Sequence, residues 1–438
     1  MDNSGLYVGL DIGTTSIKVI VAEKVKGQLN VIGVGNEPSN GLSRGVIIDI
    51  DQAAEAIRGA VNQAQEKASI EIKDVVVSVP ANMLKIEPCN GLITIDDQSR
   101  EITGADVRNV AASALGTSLP QEREVVDVQP EEFIVDGFDG IKDPRGMVGV
   151  RLEMRGKLIT GSKGIVHNLQ KAVEKAGLNI VSMILTPLAE GHELLNDGEQ
   201  DFGTIIIDLG GGQTTASVIH DYELKYAVTD PEGGQFITKD ISIVLNTSMN
   251  NAEKIKRDYG YADSFQASSD NEFPVEVVGQ SEPSYIDEKY LSEIIEARLS
   301  QIFDRIKDKL DQVSALDLPG GIVLTGGVAA LPGIADLAAD QFNTNVRVYI
   351  PDQMGLRHPS FSAALSLVSY YSDLSDVELT VRSAVKATMT QAPAVKEPVH
   401  PNNKQQAEPV AKQSKPKRQK SKKKRGEGFK SFFSDFFD

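Results

Sequence analysis

The sequence predicts an α/β protein built from two related lobes, and three observations lead there. Strand-like apolar runs alternate with helical periodicity from residue 1 to about 378, the pattern of α/β domains. A strand ending in aspartate and running into a Gly-rich hairpin occurs twice, at Asp11 and at Asp208, 197 residues apart. That spacing suits duplicated domains rather than a solenoid. The chain of 438 residues is also too long for a single core.

Composition narrows the class further. The net charge is −17, but residues 401–438 carry 11 Lys/Arg against 4 Asp/Glu, a balance of +7, which leaves −24 on residues 1–400. So acidic a body repels nucleic-acid phosphates, and nucleic acid is not an expected partner. The single cysteine, Cys89, excludes a disulfide framework and a cysteine zinc site and fits a reducing compartment. No stretch approaches the ~20 apolar residues of a membrane-spanning helix. The acidic start, Met1-Asp2-Asn3-Ser4, is unlike a signal peptide. A cytoplasmic location is expected.

The first repeat reads as a strand over 6–11, then Ile12-Gly13-Thr14-Thr15, then strands over 17–21 and 29–34. The second reads as a strand over 204–208, then Leu209-Gly210-Gly211-Gly212-Gln213-Thr214-Thr215, then strands over 216–220 and 224–228. Glycines let the backbone turn sharply and bring its N–H groups close to an anion. Hydroxyl residues add short donors, and Lys18 reaches forward to a terminal phosphate. Asp11 and Asp208 at the strand ends suit a hydrated Mg²⁺, which takes carboxylate plus several waters. One such hairpin alone is most simply a turn; two with the same aspartate and hydroxyls point to phosphate. A third element follows a buried strand at 320–325: Thr325-Gly326-Gly327 and a Pro/Gly turn, with room for a base or ribose against the backbone.

These loops resemble the phosphate-1, phosphate-2 and adenosine motifs of the actin/Hsp70/sugar-kinase ATPase superfamily. Thr186-Pro187-Leu188-Ala189-Glu190 and Pro359-Ser360-Phe361-Ser362-Ala363-Ala364 match its connecting helices in position. Glu232-Gly233-Gly234-Gln235-Phe236-Ile237-Thr238-Lys239-Asp240-Ile241 resembles the segment that opens the upper subdomain of the second lobe. Ala252 to Gly260 resembles the helix whose Glu253 and Lys256 flank the adenosine. Glu253 and Lys256, three apart, also share one helical face as any solvated ion pair would. Together these segments are most similar to the FtsA family of bacterial cell-division proteins.

The resemblance implies an actin-like two-lobed fold of duplicated RNase H-like domains. Residues 1–82 with 164–191 and 356–378 would form the lobe-one core, and 83–163 a small inserted domain of the type particular to that family. That insert would have short strands at 91–95, 129–133 and 149–154 around a helix at 104–115. Residues 192–230 with 316–355 would form the lobe-two core and 231–315 its upper subdomain. Residues 379–425, Pro- and Lys-rich and without aromatics, read as a flexible basic linker.

The resemblance also implies ATP/ADP and Mg²⁺ as ligands. The nucleotide-binding residues would be Gly13, Thr14, Thr15, Lys18, Gly210, Gly211, Gly212, Gln213, Thr214, Gly233, Gly234, Lys239, Glu253, Lys256, Gly326 and Gly327, with Asp11 and Asp208 holding the metal through water. One position departs from the superfamily: Thr186 stands where a Glu or Gln usually positions the attacking water. A threonine cannot act as a base, and in-line attack needs a positioned nucleophile. Tight nucleotide binding with slow or absent hydrolysis is the expectation.

The chain ends Gly428-Phe429-Lys430-Ser431-Phe432-Phe433-Ser434-Asp435-Phe436-Phe437-Asp438. Phe429, Phe432, Phe433, Phe436 and Phe437 fall on one helical face. Eight of the eleven residues from Lys415 to Arg425 are basic, Lys422, Lys423, Lys424 and Arg425 among them. A basic run beside an amphipathic aromatic helix (426–438) reads as attachment to an anionic membrane surface. A partner's groove, a localisation-like run and nucleic-acid affinity are the alternatives. FtsA-family proteins end in such a membrane-targeting helix. The resemblance then implies a membrane tether for the tubulin-like division protein FtsZ, on the inner face of the membrane at the division site. It would self-assemble and recruit later division proteins through 83–163. The FtsZ tail would dock on the upper subdomain of lobe two, where a helix is expected over 285–310; Arg298 is either a contact for that acidic peptide or an ordinary surface arginine. A pilus-assembly adaptor of similar build and a sugar or acetate kinase are the other readings.

Overall fold

The computed structural model describes residues 5–82, 84–95, 100–116 and 119–391. The expected linker beyond 391 and the C-terminal helix at 426–438 lie outside the described residues.

Lobe one begins with a meander of β1 (Leu6–Ile12), β2 (Ser16–Val25) and β3 (Gln28–Pro38). A two-residue hairpin, β4 (Leu42–Ser43) and β5 (Val46–Ile47), leads into α1 (Ile50–Ala68). Asp49 caps α1, its carboxylate accepting from the N–H groups of Asp51 and Gln52, so the helix starts where the sequence supplies a short acidic acceptor. Then comes β6 (Asp74–Val79).

The chain next leaves for a separate four-stranded sheet: β7 (Lys85–Thr94), helix α2 (Gly104–Leu115), β8 (Arg123–Val135), β9 (Phe138–Ile141) and β10 (Arg151–Ser162). Its order is β7-β10-β8-β9, all antiparallel, with α2 on one face. The helix falls over the residues expected for it. The strands do not match the short runs expected: β7, β8 and β10 are 10, 13 and 12 residues long, and β9 was not foreseen. Charged residues interrupt the apolar alternation on the solvent face and hide the strand lengths from a pattern reading.

α3 (Lys163–Lys175), β11 (Asn179–Leu185) and α4 (Thr186–Leu194) return to lobe one. Its sheet has the order β11-β6-β1-β2-β3, with β11, β6 and β1 parallel and the β1–β3 meander antiparallel.

Lobe two repeats the plan. After α5 (Asp197–Phe202) come β12 (Thr204–Leu209), β13 (Thr214–His220) and β14 (Glu223–Asp230). The upper subdomain holds α6 (Gly234–Val244), α7 (Met249–Tyr259), β15 (Glu272–Val275), β16 (Ser284–Asp287) and α8 (Glu288–Asp311). The expected helix over 285–310 therefore starts three residues later. Tyr285 belongs to β16, and the Asp287 carboxylate caps the helix by accepting from Tyr290 N–H at 2.7 Å. β17 (Ile322–Thr325), α9 (Ile334–Phe342) and β18 (Val346–Val348) close the sheet β14-β13-β12-β17-β18. Both sheets thus join a three-strand antiparallel meander to parallel strands, and β1 and β12 correspond.

α10 (Ser362–Asp373) packs against β1, β2 and α4. The last described element, α11 (Asp376–Gln391), corrects the expected linker, which does not begin at 379. Ser375 and Glu378 form a reciprocal cap, Glu378 accepting from Ser375 N–H at 2.8 Å while Ser375 Oγ accepts from Glu378 N–H at 3.3 Å. Val377, Val381, Ala384 and Val385 share one face and join the core of the inserted domain against α2 and β8. The segment forms a helix without aromatics because small apolar residues at helical spacing suffice when a partner surface is already in place.

Candidate functional site

The main cleft, of ≈ 870 Å³, opens between the lobes, and both repeats face into it. The β1–β2 hairpin closes with Gly13 N–H donating to Ser16 C=O at 3.2 Å. Asp11, near the end of β1, accepts from Ser78 Oγ at 2.9 Å, and the same hydroxyl accepts from Ile12 N–H at 3.2 Å. Ser78 ends neither motif and went unnoticed in the sequence; it is the parallel pairing of β6 with β1 that brings it there. Lys18, on β2, is buried and donates to Ser16 Oγ at 2.6 Å.

The β12–β13 hairpin faces the first one directly. A methyl on Gly211 would lie 2.4 Å from Thr15 Cγ2, and one on Gly212 would lie 2.5 Å from Thr14 Cγ2. Hairpin meets hairpin closely enough to exclude any larger residue at either glycine. Thr14 Oγ1 accepts from Gly45 N–H at 2.8 Å and Gln213 Oε1 accepts from Asn82 Nδ2 at 2.6 Å, which anchors both loops to lobe one. Asp208 sits opposite Asp11. Gly326 follows β17 with φ +88, and a Cβ there would come 2.3 Å from Asp208 Oδ1. A positive φ and that close approach together demand glycine.

The remaining wall comes from the upper subdomain. Lys256 Nζ donates to Glu253 Oε2 at 2.6 Å, Thr238 Oγ1 at 2.8 Å and Gly234 C=O at 3.1 Å. Glu253 also accepts from Arg257 Nε at 2.7 Å. Glu253 and Lys256 are thus a partly buried, fixed pair, not a solvated one. Gly234, Gly326, Gly327, Val328 and Ala330 complete this side.

Of the residues expected at the site, Asp11, Gly13, Thr14, Thr15, Lys18, Thr186, Asp208, Gly210, Gly211, Gly212, Gln213, Gly234, Glu253, Lys256, Gly326 and Gly327 line one cleft. Three do not. Thr214 is buried behind the loop, its hydroxyl donating to Glu232 C=O at 2.9 Å; strand alternation turns Thr215 to the cleft in its place. Gly233 packs under Gly210 without reaching the opening, and Lys239 is exposed on α6 away from it. Arg298 is held by Asp240 at 2.6 and 3.0 Å and by Glu232 at 2.9 Å, while Arg305 binds Asp230 and Glu232. This network ties α8 to α6 and β14, so Arg298 is a bound structural cation, not a free surface arginine. Phe429, Phe432, Phe433, Phe436, Phe437, Lys422, Lys423, Lys424 and Arg425 lie outside the described residues.

One cleft residue carried no role in the sequence reading. Glu190, on α4 one turn after Thr186, is 2% exposed, and its Oε1 has no hydrogen-bond partner. Its neighbours explain the electrostatics. Burial, then the charges of Asp208 and Asp11, push the Glu190 carboxyl well above its ordinary range. Burial and Asp11 push Asp208 up to about 7, against the pull of Lys18. Burial raises Asp11 as well, opposed by Lys18 and the Ser78 hydroxyl, and burial lowers Lys18. Three carboxyls thus share one buried cation, an excess of negative charge that a divalent cation would relieve. Among the described residues no three His, Cys, Asp or Glu side chains form a ready-made cage. That donor set suits Mg²⁺, which keeps few protein carboxylates and completes its shell with water and phosphate.

Comparison with known proteins agrees with the architecture. Residues 205–366 match the family model "Cell division protein FtsA", and residues 81–160 match "SHS2 domain inserted in FTSA". The chain is similar to cell division protein FtsA of Enterococcus hirae, 53% identical over 442 residues and covering 100% of both chains. It is 44% identical to that of Bacillus subtilis over 370 residues, 84% of each. Among solved structures, it resembles a PilM-PilN type IV pilus biogenesis complex (TM-score 0.57, 16% identity, 84% of this chain and 99% of that one). It also resembles MreB5 of Spiroplasma citri bound to ADP (TM-score 0.53, 13% identity, 90% of this chain and 100% of that one). At such identities the structural likeness shows the fold, which is actin-like.

Proposed function

The chain belongs to the FtsA family of bacterial cell-division proteins, and from that premise we propose that it is a nucleotide-switched membrane tether of the division machinery. The observation that carries the nucleotide part is the convergence of both Asp-terminated hairpins and the Gly326-Gly327 turn on one cleft. In that cleft the Gly210–Gly212 and Gly13 amides would cradle phosphates, Lys18 would meet the terminal one, and Glu253 and Lys256 would flank the adenosine. Bound Mg²⁺, held near Asp11 and Asp208 through water, would supply charge neutralisation for ATP or ADP. The residues by themselves would orient the triphosphate.

The tether part rests on the family and on the C-terminal sequence. The face Phe429/Phe432/Phe433/Phe436/Phe437 would enter an anionic membrane beside Lys422–Arg425, each phenylalanine gaining roughly 1.5–3 kcal/mol on full burial. FtsZ, by its C-terminal peptide, would dock on the upper subdomain of lobe two near α8, and further division proteins on residues 83–163. Because Arg298 is already paired, it would serve an acidic peptide chiefly by holding that surface in shape. The protein would assemble with its own copies, and avidity along a polymer would strengthen a weak single foot. The pilus-adaptor alternative has 16% identity behind it against 53% for the division proteins, and nothing specific favours a sugar or acetate kinase.

The deciding experiment is threefold. ATP with Mg²⁺ should raise the melting temperature and lose most of that effect on chelation. The FtsZ tail peptide should retain the protein in a pulldown. Phe432→Glu with Phe433→Glu should abolish flotation with anionic vesicles; persistent flotation would contradict the membrane assignment.

A further inference from the structure

We propose that Glu190 is the catalytic base for ATP hydrolysis in this cleft, the carboxylate that orients the attacking water and takes its proton. This rests on the nucleotide reading above. Thr186 and Glu190 are four residues apart on α4, so they share a face, and both line the cleft. The Thr186 hydroxyl is committed elsewhere, donating to Val79 C=O at 3.3 Å. The position expected to lack a base therefore does lack one, while a carboxylate stands one turn further along the same helix.

A buried carboxyl is retained when it is paired, yet Glu190 Oε1 has no partner, and the group is 2% exposed. An unmet acceptor of this kind is costly, and apolar neighbours would replace it at no loss if packing were its only role. α4 is also a rigid carrier. Pro187 stands in its first turn, α10 packs along it, and Ala189 beside Glu190 is fully buried. A base must be held this firmly to place a water in line with the leaving group.

The step balances without a further reactant. Water oxygen bonds to the terminal phosphorus as the bond from that phosphorus to the bridging oxygen breaks, its electron pair staying with the diphosphate. Glu190 accepts the proton from water and passes it to orthophosphate or to solvent.

The full chain should be compared with Glu190→Gln, Glu190→Ala and the double variant Thr186→Glu/Glu190→Ala, measuring ATP–Mg²⁺ affinity, single-turnover hydrolysis and the melting temperature of the nucleotide-free protein. Both single variants should hydrolyse on the order of 100-fold more slowly while binding ATP within roughly threefold of the parent. Glu190→Gln should melt higher than the parent without nucleotide, because the cost of burying a carboxyl that finds no partner is gone. Moving the carboxylate back one turn in the double variant should restore hydrolysis about tenfold over Glu190→Ala. An unchanged rate in Glu190→Gln overturns the proposal, as does an affinity that falls in step with the rate, or a parent rate no faster than the uncatalysed background. Failure of the parent to bind ATP at all overturns the nucleotide reading and this proposal together.

Discussion

Gly326, Gly211 and Gly212 show how little freedom single positions have in the cleft. A methyl at Gly326 meets both Asp208 and the backbone of Leu209 and requires a positive φ. Gly326→Ala should weaken ATP binding at least about tenfold, by titration with a fluorescent analogue, and cost stability in the range of strained backbone positions, roughly 1–3 kcal/mol. Charges follow similar local rules. Asp106 accepts from Arg100 at 2.7 and 2.8 Å and from Thr103 N–H at 2.9 Å, and the Arg100 guanidinium first of all holds its carboxyl well below the usual range. A depressed folded pKa means the stabilisation is complete above the unfolded value near 4 and fades as pH falls below it. Melting curves of the parent should therefore drop more steeply below about pH 4 than those of Asp106→Asn. The hairpin glycines and aspartates were readable because their chemistry is local. The Thr214 side chain turns from the cleft because the side a strand residue faces depends on register, and Ser78 meets Asp11, 67 residues away, only through the pairing of β6 with β1.

Elements depend on what they pack against, as α11 illustrates. Its cap, Ser375-Asp376-Val377-Glu378, and its Val/Ala stripe are visible in the sequence, but only the inserted domain makes the helix worth forming. Arg382 pins it there, buried, 3.1 Å from Asp127 and donating to Tyr370 Oη at 2.9 Å. Burial pushes Asp127 up to about 6, with Arg382 pulling against it. Arg382→Ala leaves that carboxyl alone and should cost about 3–5 kcal/mol. Adding Asp127→Asn should recover much of the loss, a coupling that denaturant unfolding of the four proteins in the cycle would measure. If the two losses simply add, the pair does not hold the helix.

At the scale of the whole molecule, α11 joins the inserted domain to the stretch that leads to the basic, Phe-rich end of the chain. A chain cut after Gln391 should fold and keep ATP binding while losing vesicle flotation. One cut after Asp373 should expose the apolar face of α2 and β8 and leave Asp127 unpaired, giving a lower melting temperature and aggregation by light scattering. Sequence carried the duplicated lobes, the two Asp-Gly hairpins and the helical spacing of the C-terminal phenylalanines unaided, since each is written in neighbours a few residues apart. Folding alone decided that Glu190 joins Asp11 and Asp208, that Arg298 is taken up by Asp240 and Glu232, and that α11 is no linker. The physical reason is common to all three: burial and charge pairing arise between segments tens to hundreds of residues apart, and no local pattern records which of them will meet.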